Sequence, residues 1–375
     1  MDLSDLTVVI PSYNRHDFLY RQFSYWSSTN ARLIFIDGSS KPINMNLQSQ
    51  FNKNGNVEYI HLKESVGTRL SLAGKLIVTP YAVTSNDDSF LLKSGVCAAV
   101  NLLRNDSKVA ACRGQSMHAL ISGDKKIIKY TQSYNSFSNF IVNQQDAESR
   151  LRYVFSQFND AASFAVLRAK VWQQSWAYGY GKKFSSTNIS EFFQNIVVYI
   201  YGELICLPIP YYISTNENHA INTTSDNRSL LFSTWLHDVK YEEEKIDFIE
   251  SLSTMLSREG SLGFKDSFKI ISEGLETIHN FRSEYSIATR LLGPKVSKRK
   301  LTTLKKIFFT KNLKKVYLTA RKFALNYLIN SQYVLIDRLP NKKTRSGVEL
   351  NSEQLIEIKT IDKLILNFYS IDTKS

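Results

Sequence analysis

The chain has 375 residues, of which 43% are hydrophobic and 12% aromatic, enough to build a large core and to exclude wholesale disorder. Its net charge of +13 is concentrated. Residues 293–345 hold fifteen Lys/Arg and one acid, a local +14 that leaves the remainder at −1, so an anionic partner is expected for one segment and not for the whole surface. The three cysteines, Cys97, Cys112 and Cys206, lie singly in apolar runs, which excludes a disulfide or zinc framework and fits a reduced, cytoplasmic protein. The start "MDLSDLTVVIPSYN" lacks the basic, then long apolar, pattern of a secretion signal, and no clean apolar run of about 20 residues exists.

Taken in chain order, "LTVVI" (6–10) reads as a buried parallel strand stopped at Pro11. A helix is predicted over about 15–26, a strand at "RLIFID" (32–37), another at "NVEYIHL" (56–62) and a helix over about 65–79. "YAVT" (81–84) leads into Asp87-Asp88, a helix follows to about 104, and "KVAACRG" (108–114) reads as the next strand. The pattern then loosens, with hairpin-like "LISGDKKIIKY" (120–130), a helix over about 145–158, and "SFAVLRAKVWQQSW" (163–176) as a strand running into a helix. "ISEFFQNIVVYIYGE" (189–203) is helical, "LICLPIPYYIST" (204–215) closes the sheet, and the chain beyond about 225 is helical. This alternation predicts an α/β fold with a mostly parallel sheet covered on both faces, and ligands in such sheets collect at the carboxyl ends of the strands.

Polar residues cluster at those ends: Pro11, Ser12, Tyr13 and Arg15 after the first strand, Asp37 and Gly38 after the second, Asp87 and Asp88 after the fourth. Adjacent buried carboxylates repel each other and resist desolvation. Two readings make the pair tolerable. Aspartates satisfy the free N–H groups of a following helix. Alternatively they hold a hard divalent cation, Mn²⁺ or Mg²⁺, which takes one or two carboxylates and leaves positions for phosphate oxygens.

The ordered set "VVIPSYNR", "FIDGSS" and "SNDDSFLL" resembles nucleotide-sugar-dependent glycosyltransferases of the family 2 type, similar to members that build bacterial surface polysaccharides such as O-antigen or capsule. The resemblance spans about residues 5–222 and implies a GT-A fold. It implies that Pro11, Ser12, Tyr13 and Arg15 line the nucleotide pocket, Tyr13 by stacking and Arg15 by its charge, with Asp37 on the base and Gly38 letting the backbone pass close. Arg69 or Lys75 would face the diphosphate, Asp88 would ligate the metal, and Asp87 would contact ribose or hold the loop. An asparagine, Asn86, stands where a further acid could. An inverting transferase needs a general base for the acceptor hydroxyl. Glu191 is the candidate and Asp160 the runner-up, although the usual acidic pair before Arg-Trp is absent. His219, in "STNENHAIN" after the last strand, would complete the metal site. The other histidines have no metal-ligand spacing, and neither G-x-S-x-G nor a Walker loop is present.

The expected division is 1–225 as the GT-A domain, 226–292 as a helical accessory region and 293–375 as a basic amphipathic tail. In the tail Leu313, Val316, Tyr317, Ala320, Phe323, Ala324, Tyr327 and Leu328 fall at helical spacing with Lys314, Lys315, Arg321 and Lys322 largely off the stripe. Such a face either lies on an anionic membrane, at the inner leaflet beside a lipid-linked saccharide acceptor, or packs on the domain. No recognisable nucleic-acid module is present. The enzyme reading is thus a metal-dependent transfer from a nucleotide-sugar donor to a saccharide. The alternative is a non-catalytic GT-A-like scaffold that binds sugar or a partner.

Overall fold

A computed structural model describes residues 1–124, 126–133, 140–157, 161–217, 230, 232–292, 334–335 and 350–372. Strand β1 (Leu6–Ser12) lies between parallel β2 (Arg32–Asp37) and parallel β4 (Tyr81–Thr84), and β3 (Val57–His61) extends the sheet beyond β2. Helices α1 (His16–Trp26), α2 (Met45–Asn52) and α3 (Val66–Leu76) make the crossovers. After β5 (Phe90–Leu91) and α4 (Lys93–Asn105) comes β6 (Val109–Ile121), thirteen residues long. The α/β class expected from the alternation of runs is present. Other parts depart from the expected pattern. β6 continues well past Gly114, because its polar Arg113, Gln115 and Ser116 are buried in the sheet and break the apolar signal. β7 (Ile128–Ser133) pairs antiparallel with β6, as the hairpin-like stretch predicts. A three-residue strand, β9 (Val166–Arg168), slips antiparallel between β4 and β6. It follows β8 (Ile141–Val142) and α5 (Ala147–Ser156).

The chain next forms α6 (Ala169–Trp172), a π-helical turn over Gln173–Tyr178, and α7 (Gly179–Gly181). Gly67 lets α3 lie against this segment: a Cβ there would fall 2.1 Å from the carbonyl oxygen of Tyr180. Helix α8 (Thr187–Tyr201) then leads into β10 (Glu203–Thr215), which runs parallel to β6. Because α8 ends where parallel β10 begins, its first turns lie toward the carboxyl ends of the parallel strands.

Alternate residues of the central strands enter two cores, one on each face, as the period of two requires. Val9, Ile34, Ile36 and Ala82 face α3, α5 and α8. The same core takes Trp235 of α9 (Phe232–His237), Phe248 and Leu252 of α10 (Glu242–Glu259) and Ile271 of α11 (Phe264–Leu292). The helices of the expected accessory region therefore share a core with the sheet. Val8, Ile10, Leu33, Phe35 and Val83 face α1, α2 and α4. There they meet Ile358, Ile361 and Ile365 of α12 (Ser352–Asp372). Charge set 293–375 apart as one tail, but α12 packs into this second core. The amphipathic stretch 313–328 lies outside the described residues. Val334–Leu335 forms β11, an edge strand on β7. No helix among the described residues is long and apolar enough to cross a membrane.

Candidate active site

The loops after β1, β2 and β4 meet at one edge of the sheet, where β1 has neighbours on both sides, the place at which open α/β sheets form ligand crevices. Asp87 and Asp88 are both buried there. Ser12 Oγ donates to Asp87 Oδ2 at 2.8 Å. One guanidinium nitrogen of Arg15, Nη1, reaches an oxygen of each acid: Asp87 Oδ1 at 2.8 Å and Asp88 Oδ2 at 3.2 Å. The other oxygen of Asp88 accepts from Ser89 Oγ at 3.2 Å, so both contacts of this carboxylate are long. Burial pushes the Asp87 carboxyl up to about 6; Arg15 pulls it down and Asp88 pushes it further up. Burial alone would lower the Arg15 pKa, but Asp87 and Asp88 outweigh it and hold the guanidinium above its ordinary range.

The pair does not cap the following helix. Leu92 occupies the N-cap of α4 and makes no side-chain cap. Instead Glu357, on α12, accepts from the backbone N–H of Lys93 through Oε1, and from Ser94 N at 3.3 Å and Ser94 Oγ at 2.7 Å through Oε2. Tyr25 Oη also donates to Glu357, at 2.7 Å, and to Leu91 O at 2.9 Å. The acid loop is fixed from behind by Gln22 on α1, whose Nε2 donates to the carbonyls of Asp87 (3.1 Å) and Ser89 (2.6 Å). Thr215 Oγ1 donates to Asp88 O at 2.9 Å, tying the loop to the end of β10.

Asp37 is fully buried and heavily engaged. Oδ1 accepts from Ser39 N at 2.9 Å and from Ser39 Oγ; Oδ2 accepts from Tyr59 Oη at 2.7 Å and contacts His16 Nε2 at 3.1 Å. Asn14, at φ 55°, links the loops through Asn14 N to Ser39 Oγ (2.8 Å) and Ser40 N to Asn14 Oδ1 (3.2 Å). Arg69 turns inward: Nη1 donates to Ser12 O at 2.6 Å and Ile36 O at 2.8 Å, and its guanidinium lies against Gly38, where a Cβ would meet Cζ at 2.5 Å. Arg69 thus clamps the ends of β1 and β2. Lys75 is exposed in the last turn of α3, which leads to the start of β4, so it stands at the opposite edge of the sheet from these loops. Tyr13 is 53% exposed beside them, and Pro11 does not stop β1: it pairs with Ile36 inside the strand, which runs on to Ser12.

Glu191 is exposed in the second turn of α8, which starts at Thr187, two residues before the predicted start. Asn195 Nδ2 donates to Glu191 O at 2.8 Å and to Ser163 Oγ at 3.1 Å, and Asn195 Oδ1 accepts from Ala162 N at 3.0 Å. Arg113 Nη1 donates to Ser163 O at 2.9 Å. Phe164, at φ 59°, stacks on Tyr212 with centroids 5.1 Å apart, and Tyr212 Oη hydrogen-bonds Ser89 Oγ at 2.9 Å. A continuous chain of contacts thus joins the Glu191 turn to the acid loop. Asp160 and His219 lie outside the described residues. Glu217, just before the latter, is buried and paired through both oxygens with Arg21 (2.7 and 3.0 Å), and Oε1 also accepts from Tyr369 Oη at 2.7 Å. No cluster of three or more His, Cys, Asp or Glu suited to a metal occurs among the described residues.

Sequence reasoning missed Gln22, Asn14, Ser39, Tyr59, Asn195 and Glu357. One signal was available for Glu357: "SFLLKSG" offers α4 no local capping residue, so a distant acceptor was needed.

No family model matches the chain, and no curated protein matches it. Among solved structures it is similar to S. aureus TarS 1–349, at 12% identity and TM-score 0.46, over 80% of this chain and 77% of that one. The complex of that protein with UDP-GlcNAc gives 12% identity, TM-score 0.47 and the same coverage. Against S. aureus TarS in a longer form the TM-score is 0.45, at 12% identity, over 80% of this chain and 46% of that one.

Proposed function

We propose that this chain is a glycosyltransferase that moves a sugar from a nucleotide-sugar donor to a saccharide acceptor, with inversion and with the help of Mn²⁺ or Mg²⁺. The observation that carries the reading is the meeting of "PSYNR", "DGSS" and "NDDS" at the carboxyl ends of adjacent strands, with the α4 N-terminus capped by Glu357 and not by the acid pair. The donor set suits a hard cation: all oxygen, two carboxylates, with Asp88 the less fully engaged. Asp88 would hold the ion, and Asp87, tied to Ser12, would fix the loop. A divalent cation bound there would neutralise charge on the departing diphosphate as a Lewis acid. Tyr13, exposed at the rim, would stack on the base. Arg69 and Asp37 would shape the pocket by holding the loops rather than by touching the donor. Glu191, solvent-facing on a turn braced by Asn195, would take the proton from the acceptor hydroxyl as it attacks the anomeric carbon.

The segment 293–345, with its excess of cations, would meet an anionic membrane surface, which suits a lipid-linked saccharide acceptor and a place at the inner face of the cell membrane. A second reading, a non-catalytic scaffold of the same fold, is favoured by one observation: the acid pair already has an internal counter-ion in Arg15. A thermal-shift screen of nucleoside-diphosphate sugars with and without Mn²⁺, on the native protein and on Asp88→Asn, separates the two. The enzyme reading expects one donor to stabilise the native protein in a way that needs both Mn²⁺ and Asp88. It also expects Glu191→Gln to keep that stabilisation while losing at least 100-fold in sugar transfer. Donor binding with no transfer or donor hydrolysis under any condition supports the scaffold.

A further inference from the structure

We infer that Arg15 is a resident counter-ion which competes with the divalent cation for the Asp87–Asp88 pair, so that cation entry and release of the guanidinium are one event. The inference rests on the cation site proposed above and adds what controls it. A single nitrogen of Arg15 stands between one oxygen of Asp87 and one oxygen of Asp88, at 2.8 and 3.2 Å. That is the position from which one charge serves both carboxylates, and a second cation bridging the same oxygens would meet the first at close range. The contacts are unequal: the shorter goes to Asp87, which Ser12 also holds, while Asp88 has only contacts of 3.2 Å. A cation taking Asp88 therefore displaces the weaker half of the bridge first.

Nothing else anchors the guanidinium as tightly. Among the described residues its hydrogen bonds go to these two acids, and its guanidinium carbon lies 5.3 Å from the ring centroid of Phe18. Its side chain is 13% exposed, which leaves an open side toward solvent. The next arginine in the chain, on α1, contrasts with it: Arg21 is sealed against Glu217 through two nitrogens and stacked near Phe18, Phe90 and Phe368. Release of Arg15 needs only side-chain rotation, since it precedes α1 in the loop after β1. Once freed it carries a mobile positive charge beside the acid pair at the strand ends, suited to a diphosphate. Cation and anionic donor would then favour each other's binding without any movement of the sheet.

The test measures Mn²⁺ binding to the chelator-treated full chain without nucleotide, by electron paramagnetic resonance of the free ion. The native protein is compared with Arg15→Gln, Arg15→Lys and Asp88→Asn. Competition predicts that Arg15→Gln binds Mn²⁺ at least 10-fold tighter than the native protein, that Arg15→Lys falls between, and that Asp88→Asn loses the site. A second readout uses the native protein alone: phenylglyoxal modification of Arg15, followed by mass spectrometry, rises severalfold when Mn²⁺ is added. If Asp88→Asn abolishes Mn²⁺ binding but Arg15→Gln binds no tighter than native and Arg15 reactivity is unmoved, the competition is refuted and the cation site stands. If neither native protein nor Arg15→Gln binds Mn²⁺ at millimolar concentration, both fall together.

Discussion

Asp87 is held in a state its surroundings resist. Its folded pKa of about 6 lies above the ordinary 3.8, so the folded protein binds that proton more tightly than the unfolded chain does. The stabilisation from this protonation is present below the unfolded value and is lost as pH rises through about 6. Asp87→Asn, which mimics the protonated form, is therefore expected to match the native protein near pH 4. At pH 7.5 in chelator it should be more stable by on the order of 2–3 kcal/mol. Urea unfolding at both pH values checks this; a stabilisation independent of pH would point to a cause other than the buried charge. The cysteines make a simpler case. Burial pushes the thiol of Cys206 up to about 11 and that of Cys112 higher still, while Cys97 is only partly covered. Iodoacetamide at pH 8 should label Cys97 alone in the native protein and all three in denaturant, as read by mass spectrometry.

At the scale of elements, the arrangement depends on how α4 and α12 share one carboxylate. Glu357 receives donors from Lys93, Ser94 and Tyr25, so Glu357→Ala leaves the first turn of α4 without its acceptor and the Tyr25 hydroxyl with Leu91 O alone. Because Tyr25 keeps Leu91 O, the loss comes from the uncapped turn, and about 1–2 kcal/mol is expected by denaturant titration, less for Glu357→Gln, which keeps an oxygen. Helix α11 packs on α5 through Gly274, where a Cβ would lie 2.1 Å from two ring carbons of Phe155. Gly274→Ala should cost about 1–3 kcal/mol by overpacking, unless Phe155 rotates away at less expense. Both contacts escape a reading of local pattern for a physical reason. Periodicity shows that a helix has a buried face, but not which distant surface will cover it. The strands β1, β2 and β4 were legible because parallel strands buried on both faces are apolar throughout. β9, three residues long, offers too short a run to show any period.

Over the whole molecule, the two cores are unequal in origin. The one facing α3, α5 and α8 continues into α9, α10 and α11, so helices from late in the chain cover the sheet beside earlier ones. The other is closed by α12 through Ile358, Ile361 and Ile365, and through Tyr369 on the buried Arg21–Glu217 pair. Deleting residues 350–375 should therefore do more than shorten a tail. It strips cover from that apolar face and from a buried ion pair, and a thermal midpoint lowered by at least 10 °C, or loss of soluble protein, is expected. A midpoint within 2 °C of native would show that α12 adds nothing to the domain. The candidate site was readable in outline, since "PSYNR", "DGSS" and "NDDS" sit at predicted strand ends. What holds them was not. Asp37 meets His16 and Tyr59 from separate elements, and the Glu191 turn is braced through Ser163 and Asn195, pairings that only the folded sheet creates.

The clasp between Lys93 and Glu357 spans 264 positions of chain. At a translation rate of roughly 5–20 residues per second, the ribosome makes the amide on the order of 10–50 s before the carboxylate that receives it. For that interval the first N–H groups of α4 lack the side-chain acceptor they have in the finished fold. Emergence of α12 thus completes α4 from a distance, supplying the acceptor that the helix's own sequence lacks.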